Sequence, residues 1–149
     1  METVITVNGQ RHTVAADDRL TLGELLRDHL DLTGTKMACG EGTCGTCTVL
    51  LDDRPVLSCL TLVAACDGRS VRTVEGRSPL LEDLRAAFAA TDGLQCGYCT
   101  PGQLMSAVAL LEQNPSPTTE EVVTAMSGNL CRCGAYAGII EAVERVAVR

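Results

Sequence analysis

"CGEGTCGTC", residues Cys39–Cys47, places three cysteines and three glycines in nine residues. Two templates fit this stretch, and they demand different folds. Gly40-Glu41-Gly42-Thr43-Cys44-Gly45 spells G-x-G-x-x-G, the glycine pattern of a dinucleotide-binding turn, which must follow a strand and open a helix. Here "TGTKMA" precedes the pattern, and a strand-like run, "CTVLL", follows it. The glycine pattern is weak by itself and its context is wrong, so the dinucleotide template is rejected.

The second template is Cys39-x4-Cys44-x2-Cys47-x11-Cys59, which is the plant-type [2Fe–2S] spacing. Chemistry explains the glycines in it. A loop that folds around a bulky inorganic core needs residues that accept positive φ. Small residues also let backbone N–H groups approach the sulfurs. A zinc loop is the competing reading, but x4 followed by x2 is not its usual spacing.

The rest of the composition narrows the field. The chain has 149 residues, enough for one ordinary domain or two small ones. Its formal charge is −7 with no basic run, which argues against nucleic acid or an anionic membrane as partner. Phe88, Tyr98 and Tyr136 are the only aromatics, too few for a base-stacking platform. The N-terminal "METVITVNGQRH" lacks the n- and h-regions of a signal peptide, and no apolar run is long enough to span a bilayer. A cytoplasmic location is the expectation. Nine cysteines, an odd number without an export signal, argue for metal or redox thiols over a disulfide scaffold.

Local signals divide the chain in two. Val4, Thr6 and the Asn8-Gly9 turn start a hairpin that returns through His12 to Val14. Thr21 with Glu24 makes a capping box for a helix whose apolar stripe is Leu22, Leu25, Leu26 and Leu30. Strands are expected over Cys47–Leu51, from Pro55 to Leu57 and over Ser70–Val74, with a turn at Asp52-Asp53. A small mixed sheet crossed by one helix is a β-grasp-like arrangement. The stretch "DGRSVRTVEGRSP" marks a boundary near Glu75–Ser78, giving domains 1–76 and 77–149. The second reads as four helices. Ser78-Pro79 opens one, with Leu81, Leu84 and Phe88 inward. Thr100-Pro101 opens the next, with Leu104, Val108 and Leu111 inward. Thr118 and Glu121 cap a third, which carries Val122, Val123 and Met126. The last starts near Tyr136 and presents Ile139, Val143 and Val146. The fold class is therefore α+β.

The remaining cysteines form a second set, Cys96-x2-Cys99-x31-Cys131-x1-Cys133, each pair just ahead of an expected helix start. Unpaired N–H groups at such starts favour thiolates. On spacing alone this set suits a structural zinc ion as well as an iron–sulfur cluster. The chain holds no nucleophile–base set and no carboxylate pair placed for acid–base work, which suits a carrier of electrons.

"CGEGTCGTCTVLLDDRPVLSCLTL", "QCGYCTPG" and "GNLCRCGAY", in this order, closely resemble the iron–sulfur subunit of the molybdenum hydroxylases, the xanthine dehydrogenase / aldehyde oxidase family. The resemblance covers essentially the whole chain. It implies an N-terminal β-grasp, plant-type ferredoxin domain followed by a C-terminal four-helix bundle, each with one [2Fe–2S] cluster. It implies an oxidoreductase made of separate subunits, in which a large molybdopterin-binding subunit and an FAD-binding medium subunit are the partners. A chain ending soon after the last helix fits the separate small subunit. Cys39, Cys44, Cys47 and Cys59 then match the ligands of the cluster nearer the flavin. Cys96, Cys99, Cys131 and Cys133 match those of the cluster nearer molybdenum. Gln95 and Cys133 match positions that touch the pterin. Electrons would pass singly from the molybdopterin cofactor through both clusters to FAD, with no substrate chemistry on this chain; the alternative is a free two-cluster ferredoxin. Cys66, in the apolar "LTLVAAC", reads as a buried structural thiol. Lys36 reads as a solvated loop residue, and His12 and His29 have no ligand pattern. Tyr98 reads as a packing residue.

Overall fold

Asn8 and Gly9 take φ of 49° and 84°, the left-handed pair that a tight hairpin turn requires and that Asn-Gly adopts most readily. They join β1 (Glu2–Val7) to β2 (Gln10–Ala15), with Val7 opposite Gln10. The computed structural model describes residues 2–15 and 17–148. Strands β3 (Thr48–Leu51), β4 (Arg54–Leu57) and β5 (Ser70–Arg72) complete a mixed sheet of order β2-β1-β5-β3-β4. β5 runs parallel to β1 and antiparallel to β3, so it occupies the centre of the sheet.

The helix expected after Thr21 is capped as its sequence predicts. Glu24 N–H donates to Thr21 Oγ1, and Thr21 N–H donates back to Glu24 Oε2 at 2.9 Å. It is not a regular helix. α1 is α-helical over Leu22–Glu24 and widens into a π-helical turn over Leu25–His29, closed by Leu30 N–H donating to Leu25 O. With the wider turn, adjacent Leu25 and Leu26 are both fully buried, beside Leu22, Ile5, Val49 and Val71. Leu30, the last residue of the expected stripe, is only half-buried.

β3 joins the two halves. Successive strand side chains point to opposite faces, yet all four residues of β3 are buried. Val49 and Leu51 belong to the core under α1, whereas Leu50 packs into the core of the helices. The unbroken apolar run "CTVLL" is the signature of a strand covered on both faces.

Four helices follow: α2 (Pro79–Ala90), α3 (Thr100–Gln113), α4 (Thr119–Met126) and α5 (Tyr136–Val146). Ser78 Oγ caps α2 by accepting from Leu81 N–H, and the Thr118–Glu121 capping box opens α4. α3 packs against α2 and α4 and also against β3 and β4. That double cover buries every residue from Gly102 to Ala109, far more than the stripe of Leu104, Val108 and Leu111 expected from its sequence. Of the apolar residues of α4, Val122 and Met126 are buried and Val123 is half-exposed. Among the described residues no helix is long and apolar enough to cross a membrane.

The stretch between the halves is tied down on both sides. Thr73 is buried and exchanges two hydrogen bonds with Asn8. Gly34 N–H donates to Glu75 Oε1 at 2.6 Å, and the Arg85 guanidinium donates to Val74 O. Arg72 of β5 grips Glu112 of α3 through two nitrogens, at 2.9 and 2.6 Å. The guanidinium holds the Glu112 carboxyl below its usual range.

Because Leu50 fills the helical core from the sheet side, Leu50→Ala should destabilise both halves together, by about 2–5 kcal/mol. Thermal unfolding followed by helix ellipticity and by cluster absorbance should then shift as one transition. Separate midpoints would show that the halves melt independently.

Candidate metal centres

The first cysteine set hangs on a loop with almost no regular structure, fixed at both ends. Before it, Arg27 donates to the Thr33 and Thr35 carbonyls. After it, β3 enters the sheet at Thr48. Gly42 and Gly45 hold φ of 80° and 73°, which a side chain would strain. Gly45 has a second reason to be glycine: a Cβ there would lie 2.3 Å from Gly128 O. Cys59 arrives from the far end of β4, in a segment pinned by Gly23 N–H donating to Ser58 O.

The second set is built on helix starts. Cys99 is the N-cap of α3, and Cys96 sits on the turn before it. Cys131 and Cys133 lie just ahead of α5, whose N-cap residue, Ala135, donates its N–H to Cys131 Sγ. Tyr136 Oη accepts from Cys131 N–H at 2.9 Å.

Within each set the thiols meet in pairs. Cys44 bears on the ionisation of Cys39, and Cys47 on that of Cys59. In the second set Cys133 bears on Cys96, and Cys131 on Cys99. The pairs of one set also feel each other's charge, Cys39 at Cys59 and Cys96 at Cys99. Among the described residues no three His, Cys, Asp or Glu side chains converge tightly enough to hold a single metal ion. Four thiols that act on one another two by two suit a two-iron core, in which each iron takes two thiolates. A structural zinc ion draws all four ligands around one point.

The backbone is arranged to receive negative sulfur. Glu41 N–H points to Cys39 Sγ, Thr46 N–H to Cys44 Sγ, Cys59 N–H to Cys47 Sγ and Tyr98 N–H to Cys96 Sγ, each at 3.5 Å. Ala135 N–H makes the fifth such contact, at 3.4 Å. N–H···S bonds of this kind stabilise cluster thiolates and tune their potential. The cysteines respond unequally. The Glu41 N–H, with the Thr43 side chain and Cys44, brings Cys39 down to about 5. Burial, then the Cys47 thiol, pushes Cys59 up to about 11. Burial, then Cys131, does the same to Cys99, also to about 11. The Tyr98 N–H lowers Cys96. Each set therefore mixes thiolate-prone and proton-holding members, and metal must displace the protons of the latter to bind all four.

The other singled-out residues fall outside these sets. Gln95 is exposed, two residues beyond the Gly93 turn that ends α2, and it does not cap α3. Lys36 is half-buried and its ammonium donates to Thr33 O at 2.6 Å, so it is held in the loop instead of free in solvent. His12 lies on edge strand β2 and His29 is exposed at the end of α1. Tyr98 does more than pack: its hydroxyl donates to Met37 O at 2.8 Å, tying the second loop to the approach of the first. Sequence reasoning missed Gln103, Ser106 and Asn129, which are buried polar residues between the two sets. The usable signal was Gln103 and Ser106 at i, i+3 on an otherwise apolar helix, which puts two polar groups on one buried face.

Cys66 is fully buried, its thiol donates to Leu62 O at 3.4 Å, and it packs with the sheet core. Burial raises its pKa. Cys66→Ala should therefore retain all iron and both sets of cluster signals, with a modest stability loss of about 1–2 kcal/mol. Iron analysis and EPR of the variant check this; loss of either signal would show that the eight ligands were wrongly chosen.

Comparison with known proteins agrees with this geometry. A family described as a 2Fe-2S iron-sulfur cluster binding domain matches residues 5–65, and one described as a [2Fe-2S] binding domain matches residues 73–144. The small subunit of nicotine 6-hydroxylase from Paenarthrobacter nicotinovorans is 56% identical over 96% of this chain and 87% of its own length. One component of a probable xanthine dehydrogenase from Bacillus subtilis is 41% identical over 95% of this chain and 83% of that one. In the crystal structure of quinoline 2-oxidoreductase from Pseudomonas putida, a chain 43% identical superposes with a TM-score of 0.92, covering 99% of this chain and 92% of that one. With two cluster-binding domains in the same order and relatives matched nearly end to end, the chain belongs to the iron–sulfur subunits of the molybdenum hydroxylases, and its work is electron transfer through two [2Fe–2S] clusters.

Proposed function

We propose that this chain is the wire of a three-subunit molybdenum hydroxylase, with a β-grasp, plant-type ferredoxin domain over residues 1–76 and a four-helix bundle domain over 77–149. Cys39, Cys44, Cys47 and Cys59 hold the cluster that faces an FAD-binding medium subunit. Cys96, Cys99, Cys131 and Cys133 hold the cluster that faces a large molybdopterin-binding subunit, and Gln95 and Cys133 reach toward the pterin. When bound, each [2Fe–2S] core takes up and releases one electron at a time. The protein's part is to hold eight thiolates, answer their charge with N–H donors and keep the two sets at a fixed separation.

The observation that carries this reading is the pairing of the eight thiols into two separate sets, each with its own N–H donors. Surface chemistry supports the assignment of partners. Leu94, Tyr98, Leu130 and Tyr136 are large apolar or aromatic side chains left 39–53% exposed around the second set. Leu60 and Leu62, 57% and 43% exposed, flank Cys59 of the first. Apolar side chains left exposed beside the cysteine sets favour docked partners over a freely diffusing carrier. Nine cysteines, eight of them assigned here to metal, suit a reducing, cytoplasmic setting. The substrate is chosen by the large subunit.

Cys47→Ser in the intact complex should leave substrate able to reduce the cluster of the second set while FAD reduction slows severely. Cys131→Ser should stop transfer one step earlier. Rapid-freeze EPR with stopped-flow flavin absorbance separates the two. FAD reduction at the wild-type rate in Cys47→Ser would mean that the electrons bypass the first set.

A further inference from the structure

Asn129 is buried between the two cysteine sets, and each of its hydrogen-bonding groups has a partner. Its Nδ2 donates to Gly45 O at 3.0 Å and lies 3.4 Å from Thr48 Oγ1. Its Oδ1 accepts from Ser106 Oγ at 2.8 Å, and its main-chain carbonyl accepts from Gln103 Nε2 at 3.0 Å. Its own N–H donates to Met126 O. Gly45 lies between two ligands of the first set, Cys44 and Cys47. Asn129 precedes Cys131 of the second set by two residues. Gln103 reaches Cys99, a ligand of that same set. The Asn129 side chain therefore touches the ligand loop of one cluster, while its main chain leads into Cys131 and bonds Gln103, which lies beside Cys99 of the other.

The surrounding backbone is built for close approach. Leu130 N–H donates to Cys44 O at 2.8 Å, so consecutive residues 129 and 130 dock on consecutive carbonyls 45 and 44. Glycine makes room on both sides. A Cβ at Gly102 would lie 2.5 Å from Gly45 O, and one at Gly45 would lie 3.0 Å from Asn129 Cα. Such contacts leave the loops little freedom to slide, because the buried amide would lose partners that nothing else can supply.

We propose that Asn129 is a positioning residue for inter-cluster electron transfer: its carboxamide latches the Cys39–Cys47 loop to the Cys131–Cys133 loop and so fixes the separation and magnetic coupling of the two clusters. This rests on the two-cluster reading given above. It asks more of Asn129 than filling space, because electron tunnelling falls exponentially with distance and a small slip of one loop against the other changes the rate steeply.

Asn129→Asp tests it in the intact complex. The substitution preserves shape but replaces the Nδ2 donor with a carboxylate oxygen facing Gly45 O. The expected result is full iron content, an unshifted rate of substrate reduction of the second-set cluster, loss of the spin–spin splitting between the two fully reduced clusters in low-temperature EPR, and slowed electron arrival at the first-set cluster. Arg72→Met, which cuts the Arg72–Glu112 grip between the halves away from both cysteine sets, is the control and should keep the splitting. If Asn129→Asp loses iron, Ser106→Ala decides by the same readout, since it removes only the donor that steadies Oδ1 and should weaken the splitting. Splitting equal to wild type in an iron-replete Asn129→Asp, or in Ser106→Ala if that variant decides, overturns the proposal. Absence of two distinct cluster signals in the wild-type complex would instead overturn the two-cluster reading itself.

Discussion

Gathering four thiolates in one place requires that their charge be answered, and this chain answers it with its own backbone. The two loops bring N–H groups of Glu41, Thr46, Cys59, Tyr98 and Ala135 onto five of the eight sulfurs. N–H groups can point inward like this only where the chain turns tightly, and tight turns here demand positive φ at Gly42 and Gly45. The helix starts of α3 and α5 supply the same polarity in the second set. Sheet and helices act as the frame that holds these two donor-rich turns still.

That frame is shared to an unusual degree for two small domains. β3 feeds alternate side chains into two cores, and α3 lies under both the other helices and the sheet. Arg72, Glu75 and Arg85 then tie the connecting stretch to the bodies it joins. Neither half has to be large, because each uses the other as part of its core. The consequence is that the two halves stay docked as one body, on which the Asn129 contacts can hold one cysteine loop against the other.

Much of this was legible in the sequence because it is local. The Asn8-Gly9 hairpin, the capping boxes at Thr21 and Thr118, the Ser78-Pro79 start and the spacing Cys39-x4-Cys44-x2-Cys47 all lie within a few residues of their consequences. The rest depends on distant partners. That β5 inserts between β1 and β3 follows from pairings some twenty to sixty residues away, which no short window contains. The π-helical turn of α1 reads from sequence as an ordinary amphipathic helix, because its leucines keep the helical spacing. The second cysteine set was ambiguous on spacing, and it is the match of residues 73–144 to a [2Fe-2S] binding domain that favours a two-iron core. Asn129 carried no periodic signal at all; its partners Gly45, Thr48, Gln103 and Ser106 come from two other segments.

The most direct test of two four-thiolate [2Fe–2S] sites is metal and sulfide analysis of the purified protein. Two such clusters give about four iron atoms and about four acid-labile sulfides per chain, with zinc absent. Half that iron, with zinc making up the difference, would contradict the assignment of Cys96, Cys99, Cys131 and Cys133 to a second cluster.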